Sequence, residues 1–287
     1  MIKRANLFML MLIIYVQAQS VVIAYFVFFL ENYGIHRSMM VLQDASLILS
    51  FGVPFVVYAL VAKERLPQML PLKRLDRVNL LLVVAMSISV IPLMMAVSAA
   101  SAALFDNHAA DFLHEMAMLP VLPVLVSIAV LPAVLEEFVF RGLILTNLKN
   151  LGIKKAALVS GLFFGFIHLD LQQMPYAFIM GVIFAYMVHY TQSIYASVLS
   201  HFILNASMVL LSYAAAGMDP DTEFPLLQAV LIAAPIFIAA FRYFISYNKR
   251  YVTEETAVGG ELKHTPFTWE FWALVCVYAA SVLFLYR

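Results

Sequence analysis

Charged residues and cysteine are scarce in this chain of 287 residues. Only 12% of its residues are charged and 64% are hydrophobic, whereas a soluble domain carries about 25% charged residues. A soluble chain must keep a polar surface, so this composition excludes a water-soluble globular protein. The 17 basic residues are matched by 17 acidic ones, and no basic excess points to nucleic acid. A single cysteine, Cys276, excludes a disulfide framework and a cysteine-based metal site.

Long apolar runs fill most of the chain, and each is a candidate transmembrane helix because about 20 apolar residues cross a bilayer. The nine candidates are 5–30, 45–62, 78–104, 118–148, 156–169, 174–190, 194–214, 226–246 and 267–286. No A-x-A cleavage site follows the first run, so it is interpreted as a retained helix. The sequence therefore predicts an all-α, polytopic transmembrane helix bundle of about eight to nine spans, forming one multi-pass domain over residues 1–287.

Lysine and arginine indicate how the chain is oriented, since they collect on the cytoplasmic side. If the N-terminus is inside and every candidate crosses, 14 of these residues lie in inner loops. Only Arg37 and Arg287 lie outside, and Arg141 stays within the membrane. We therefore expect a multi-pass protein of the plasma membrane with a cytoplasmic N-terminus, in contact with membrane lipid.

The fourth candidate span holds three charged residues, Glu136, Glu137 and Arg141. Each unpaired charge at the bilayer centre costs about 2.5–3.5 kcal/mol on insertion scales. Glu137 and Arg141 are spaced i, i+4 with the acid first, which favours pairing. Glu136 is rotated by about 100° from Glu137, so it is expected to face a protein-lined cavity. The structural alternative is that both acids pair with Arg141 and only lock helices together.

Two further spans carry polar motifs, Phe164-x-x-x-His168 and His201-x-x-x-Asn205. Each pair is spaced i, i+4 and therefore shares a helix face. Intramembrane histidine and asparagine often only hydrogen-bond neighbouring helices. However, at 1.5 Å of rise per residue, Glu136, His168, His201 and Asn205 reach similar depths of about 12–20 Å. Three helices thus bring polar groups to a common level, which favours one site.

These residue types match the parts needed to hydrolyse an amide. A carboxylate and a histidine can hold and deprotonate water, and a second histidine and an asparagine amide can donate to an oxyanion. The same side chains can instead bind a catalytic divalent metal such as zinc. A transporter, which also uses intramembrane acids and histidines, is less favoured because no repeated halves are visible.

Glu136-Glu137-x-x-x-Arg141, Phe164-x-x-x-His168 and His201-x-x-x-Asn205 resemble, in order, the three motifs of the CPBP family. That family comprises the type 2 CAAX prenyl proteases and the Abi bacteriocin-processing or immunity proteins. The resemblance covers about residues 117–214, the expected four-helix catalytic core, with accessory helices at 1–116 and 215–287.

The resemblance implies an intramembrane glutamate peptidase and assigns a role to each matching residue. Glu136 would be the base and His168 its partner on the water, while His201 and Asn205 would form the oxyanion site. Glu137 and Arg141 would organise the first motif, and Phe164 would shape the cavity. No metal cofactor is favoured; if the enzyme depends on zinc, the ligands would be Glu136, His168 and His201.

The expected partner is a peptide or membrane-protein substrate, with prenylated proteins among the candidates, and not nucleic acid. A non-proteolytic immunity or scaffold protein that binds a peptide or partner in the membrane is the alternative from another functional class.

Overall fold

The computed structural model describes residues 1–32, 39–63, 69–219, 224–249 and 265–285. The predicted all-α bundle is confirmed, because these residues form helices and contain no β-strand. In chain order the helices are α1 (Ile2–Asn32), α2 (Met39–Leu47), α3 (Val53–Ala62), α4 (Arg77–Ala102), α5 (His108–Met116), α6 (Val121–Leu125), α7 (Leu131–Glu137), α8 (Leu145–Leu148), α9 (Gly152–Phe166), α10 (Met174–Thr191), α11 (Ile194–Ala216), α12 (Leu226–Asn248) and α13 (Trp269–Leu285).

Seven stretches in the described part of the chain are long and apolar enough to cross a membrane. One of them, Val121–Phe166, contains two of the predicted spans. Gly152 separates these two, with a φ of +72° that favours glycine. The rings of Phe140 and Phe164 lie only 5.1 Å apart, so the chain must turn back between them. The segment predicted at 267–286 forms a shorter apolar helix. Arg37, Arg65, Arg250, Lys263 and Arg287, which bear on the orientation, lie outside the described residues.

Three π-helical turns interrupt the helices around the charged motif. They are Ile48–Gly52, Val126–Val130 and Phe138–Ile144. The last two flank α7, which ends in Glu136 and Glu137. Such turns are rare and occur frequently at functional sites.

A close helix crossing joins α9 to α10. A Cβ added at Gly181 would lie 2.7 Å from the Cα of Gly161, and one added at Gly161 would lie 2.9 Å from the carbonyl oxygen of Phe178. Neither position has room for a larger residue, which is typical of small-residue interfaces between membrane helices. The crossing therefore fixes the height of Gly181 relative to Phe164, one turn from Gly161.

The accessory helices are joined to one another through buried and partly buried polar contacts. Asn79 of α4 and Asn248 of α12 exchange side-chain hydrogen bonds of 2.9 and 2.6 Å. The two terminal helices, α1 and α13, pack on each other, and Gln17 donates to Ser281 at 2.6 Å. These contacts link helices that are far apart in sequence.

Candidate active site

Glu137 and Arg141 form a completely buried ion pair, as their spacing predicts. The distance between Arg141 Nη1 and Glu137 Oε1 is 3.1 Å, and neither side chain is exposed. Arg141 Nη2 also donates to the carbonyl oxygen of Gly181 at 2.9 Å. Gly181 lies at the close crossing of α9 and α10, which places its carbonyl oxygen next to Arg141. Glu136 is not needed to neutralise Arg141, because Glu137 already does so.

Three aromatic rings surround the guanidinium group of Arg141. Its central carbon lies 4.7 Å from the ring centroid of Phe164, 5.1 Å from that of Phe184 and 5.9 Å from that of Phe140. A cation within about 6 Å of a ring centroid is attracted by the ring face, most strongly where water is excluded. Phe164 therefore belongs to the environment of Arg141 as well as to that of the histidines.

His201 joins the same ion pair from α11. Its Nδ1 lies 3.1 Å from Glu137 Oε1, and its ring stacks on Phe184 with the centroids 5.4 Å apart. A carboxylate only accepts hydrogen bonds, so the proton in this contact is on Nδ1 of His201. Glu137 therefore fixes His201 and leaves Nε2 as its other polar atom.

His168 follows the end of α9 and is held by its own backbone. Its Nδ1 lies 2.7 Å from the carbonyl oxygen of Phe164. Because a carbonyl oxygen only accepts, Nδ1 carries the proton and Nε2 of the neutral ring is an acceptor. The next residue, Leu169, has a φ of +53°, a left-handed conformation that costs energy for a non-glycine residue. This turn ends α9 and sets the direction in which His168 leaves it.

Contacts across the turn hold the His168 loop in place. The Asp170 carboxylate accepts from the backbone N–H groups of Gln172 and Gln173 at 2.7 and 2.9 Å. The Gln172 amide donates to the hydroxyl of Ser98, on α4, at 2.7 Å. The loop is therefore anchored to a helix outside the three motifs.

Glu136 is buried, with 9% of its surface exposed. Its Oε2 is buried without a hydrogen-bond partner among the described residues. The adjacent acids therefore differ: Glu137 is held by Arg141, as its spacing predicts, and also by His201, and Glu136 is not paired with Arg141.

Asn205 lies one turn beyond His201 on α11. Its amide Nδ2 donates to the carbonyl oxygen of Ile128 at 2.9 Å, and its second N–H remains for another acceptor. Asn205 therefore faces the helix that carries Glu136, as does His201.

The rings of His168 and His201 both pack edge-on against Phe164, with centroids 5.2 and 5.7 Å from it. The three predicted motifs thus meet around one phenylalanine. Sequence reasoning missed the contact of Glu137 with His201, the carbonyl oxygens of Gly181 and Ile128, and the rings of Phe140 and Phe184. Glycine at 181 was the available signal for a close helix crossing, but no sequence spacing reveals which carbonyl oxygen it exposes.

The positions of the possible ligand side chains show whether the site could hold a metal ion. In the parts of the chain that the structure describes, no three His, Cys, Asp or Glu side chains are grouped so that they could hold a metal ion. A catalytic zinc ion requires three protein ligands at about 2.0–2.2 Å. The described side chains therefore do not fit a zinc site as they stand.

Comparison with known families identifies the segment that contains this site. Residues 118–207 match the family described as Type II CAAX prenyl endopeptidase Rce1-like. The resemblance to the CPBP family is thereby confirmed over this segment, and it supports a CAAX-type intramembrane endopeptidase in general terms. No curated protein and no solved structure matches the chain significantly.

Proposed function

We propose that the protein is an intramembrane glutamate peptidase that cleaves a peptide bond with activated water and forms no covalent intermediate. The observation that carries the proposal is the different environment of two neighbouring acids. Oε1 of Glu137 is bound by both Arg141 and His201, whereas Glu136 makes neither contact; Oε2 of each acid is buried without a hydrogen-bond partner among the described residues. A carboxylate in the second environment is available to take a proton from water.

The two histidines have different hydrogen-bond partners at Nδ1, and their Nε2 atoms are therefore proposed to act differently, one as an acceptor and the other as a donor. The backbone carbonyl oxygen of Phe164 holds His168 with Nε2 as an acceptor, which suits a partner of Glu136 on the water. The Glu137 carboxylate holds His201, and the negative charges of Glu136 and Glu137 together balance the positive charges of Arg141 and of a second proton on the His201 ring. With that proton, His201 Nε2 donates to the oxyanion beside the free N–H of Asn205.

In the proposed reaction, Glu136 removes a proton from water while the water oxygen attacks the scissile carbonyl carbon. The carbonyl oxygen becomes an oxyanion that accepts from His201 and Asn205. The proton on Glu136 then passes to the leaving amine as the C–N bond breaks. No step requires an oxidant or any co-reactant other than water.

We also propose that cleavage proceeds without a metal ion. Asparagine is a poor zinc ligand but a good hydrogen-bond donor, and no three His, Cys, Asp or Glu side chains among the described residues are grouped to hold a metal ion. The test is dialysis against a strong chelator, followed by a cleavage assay and metal analysis. Activity should be unchanged. Loss of cleavage that zinc restores, with about one bound metal per chain, would make the enzyme a metalloprotease.

The substrate is proposed to be a membrane-bound peptide or protein, including prenylated proteins that end in C-a-a-X. The family match supports a peptide or protein substrate at a membrane, and a prenyl chain would place the cleavage point at the bilayer. We further propose that the protein resides in the plasma membrane with its N-terminus in the cytoplasm.

The decisive experiment measures cleavage of an internally quenched, farnesylated C-a-a-X peptide by the protein in liposomes. Glu136→Gln should lower kcat by about 10²–10⁴-fold, the usual contribution of a general base. Glu115→Gln is the matched control, because Glu115 is an exposed acid on α5 and its loss should change nothing.

Comparative proteomics of membrane peptides, with wild type and Glu136→Gln, extends the test to substrates without a prenyl group. Products that depend on Glu136 would identify the natural substrate. A cellular phenotype that survives in Glu136→Gln, with no peptide differences, would favour a scaffold or immunity protein instead.

A further inference from the structure

The side chain of Asn205 donates to a carbonyl oxygen that would accept a backbone hydrogen bond in a regular α-helix. The Asn205 amide donates to the carbonyl oxygen of Ile128 at 2.9 Å. In an α-helix this oxygen accepts from the backbone N–H four residues later, but that residue is Pro132, which has no N–H. The proline therefore makes a backbone acceptor available at the position that faces Asn205.

The turn that contains Ile128 is wider than an α-helical turn, and a hydrogen bond from a residue of this turn to α2 holds it in place. Residues Val126–Val130 are π-helical, and the N–H of Leu131 bonds to the carbonyl oxygen of Val126. The hydroxyl of Ser127 donates to Asp44 Oδ2, on α2, at 2.9 Å. Asp44 thus holds the turn from a helix outside the matched segment 118–207.

We infer that Pro132 is a positioning residue for the oxyanion site, acting through the Ile128 carbonyl oxygen on Asn205. An amide nitrogen carries two N–H groups. One of them is fixed by Ile128, so the direction of the other is fixed as well. The inference rests on the proposed function, in which that second N–H donates to the oxyanion. An oxyanion donor stabilises the transition state only where its direction is set in advance.

The first arm of the test needs no substrate. Thermal unfolding is measured for the full chain in detergent micelles as wild type, Pro132→Ala, Asn205→Leu and the double variant. In the wild-type background, Asn205→Leu removes the side-chain donor to the Ile128 carbonyl oxygen and should lower the unfolding midpoint by about 2–4 °C. In the Pro132→Ala background, the N–H of residue 132 satisfies this oxygen, so the same change should have no more than about a quarter of that effect.

The second arm measures cleavage of the farnesylated C-a-a-X peptide. Pro132→Ala should lower kcat by about 10–100-fold with KM unchanged, less than the roughly 10²–10³-fold loss for removing an oxyanion donor. Its unfolding midpoint should stay the same or rise, because a proline has left a helix interior. A fall in kcat together with equal or higher stability separates positioning from a merely structural role.

Pro235→Ala is the matched control, because Pro235 also lies inside a spanning helix, α12, outside the matched segment. It should leave the effect of Asn205→Leu unchanged. Equal effects of Asn205→Leu with and without Pro132 would overturn the inference, as would full kcat in Pro132→Ala. If the wild type does not cleave the peptide, the proposed substrate is wrong, and the thermal arm decides the inference alone.

Discussion

The buried ion pair of the first motif predicts opposite stability effects for two adjacent glutamates. Glu137 and Arg141 have no exposed surface and are 3.1 Å apart. Removing one member of a buried pair leaves the other charge without compensation, which costs about 3–5 kcal/mol. Glu137→Gln should therefore lower the free energy of unfolding by about that amount. Glu136→Gln should change it by less than about 0.5 kcal/mol or raise it, because no protein group binds Glu136 Oε2.

The measurement is unfolding of the full chain in mixed detergent micelles, with each variant also tested for cleavage. Arg141→Met completes a double-mutant cycle. Both single changes should be costly, but the double variant Glu137→Gln/Arg141→Met should cost less than their sum, since no buried charge remains uncompensated. A destabilised Glu136→Gln beside a stable Glu137→Gln would refute the assignment. Retained cleavage in Glu136→Gln would show that Glu136 is not the base.

Two other contacts make predictions that use the same unfolding assay. Gly181→Ala should destabilise the protein by about 1–3 kcal/mol through overpacking, because its Cβ would lie 2.7 Å from the Cα of Gly161. Gly217→Ala is the control. The atom nearest to a Cβ at Gly217 would be 3.7 Å away, so this change should be nearly neutral. Asn248→Leu should cost about 1–3 kcal/mol because the buried Asn79 amide oxygen loses its donor, and Asn79→Leu in that background should add little. Full additivity of the two asparagine changes would show that they do not act as a pair.

Local spacing was enough to predict contacts within one helix. Glu137 and Arg141 pair as their i, i+4 spacing indicates, and the helical class follows from composition alone. The common depth of the three motifs followed from helical rise, which does not depend on side-chain detail. The three motifs meet around Phe164, so the convergence expected from depth agrees with the packing.

Contacts between helices could not be predicted in this way. His201 and Glu137 are 64 residues apart, and which acid it contacts depends on helix rotation. That rotation is altered by the π-helical turns on both sides of α7, which have no simple sequence signature. The missing N–H of Pro132 can be read from the sequence. The contact of Asn205 with the Ile128 carbonyl oxygen follows only from how α11 packs against that turn.

The length of α9 has a consequence for the lipid around the protein. With 15 residues, α9 is about 22 Å long, and α10 with 18 residues is about 27 Å. The hydrocarbon core of a bilayer is about 30 Å thick. If α9 begins at one boundary of the hydrocarbon core, the polar loop between these helices, which carries His168 and Asp170, ends short of the opposite boundary. Backbone polar groups at that depth must be covered by protein or reached by water, and a short hairpin also thins the adjacent bilayer. The proposed hydrolysis could then take its water from the thinned bilayer beside this hairpin.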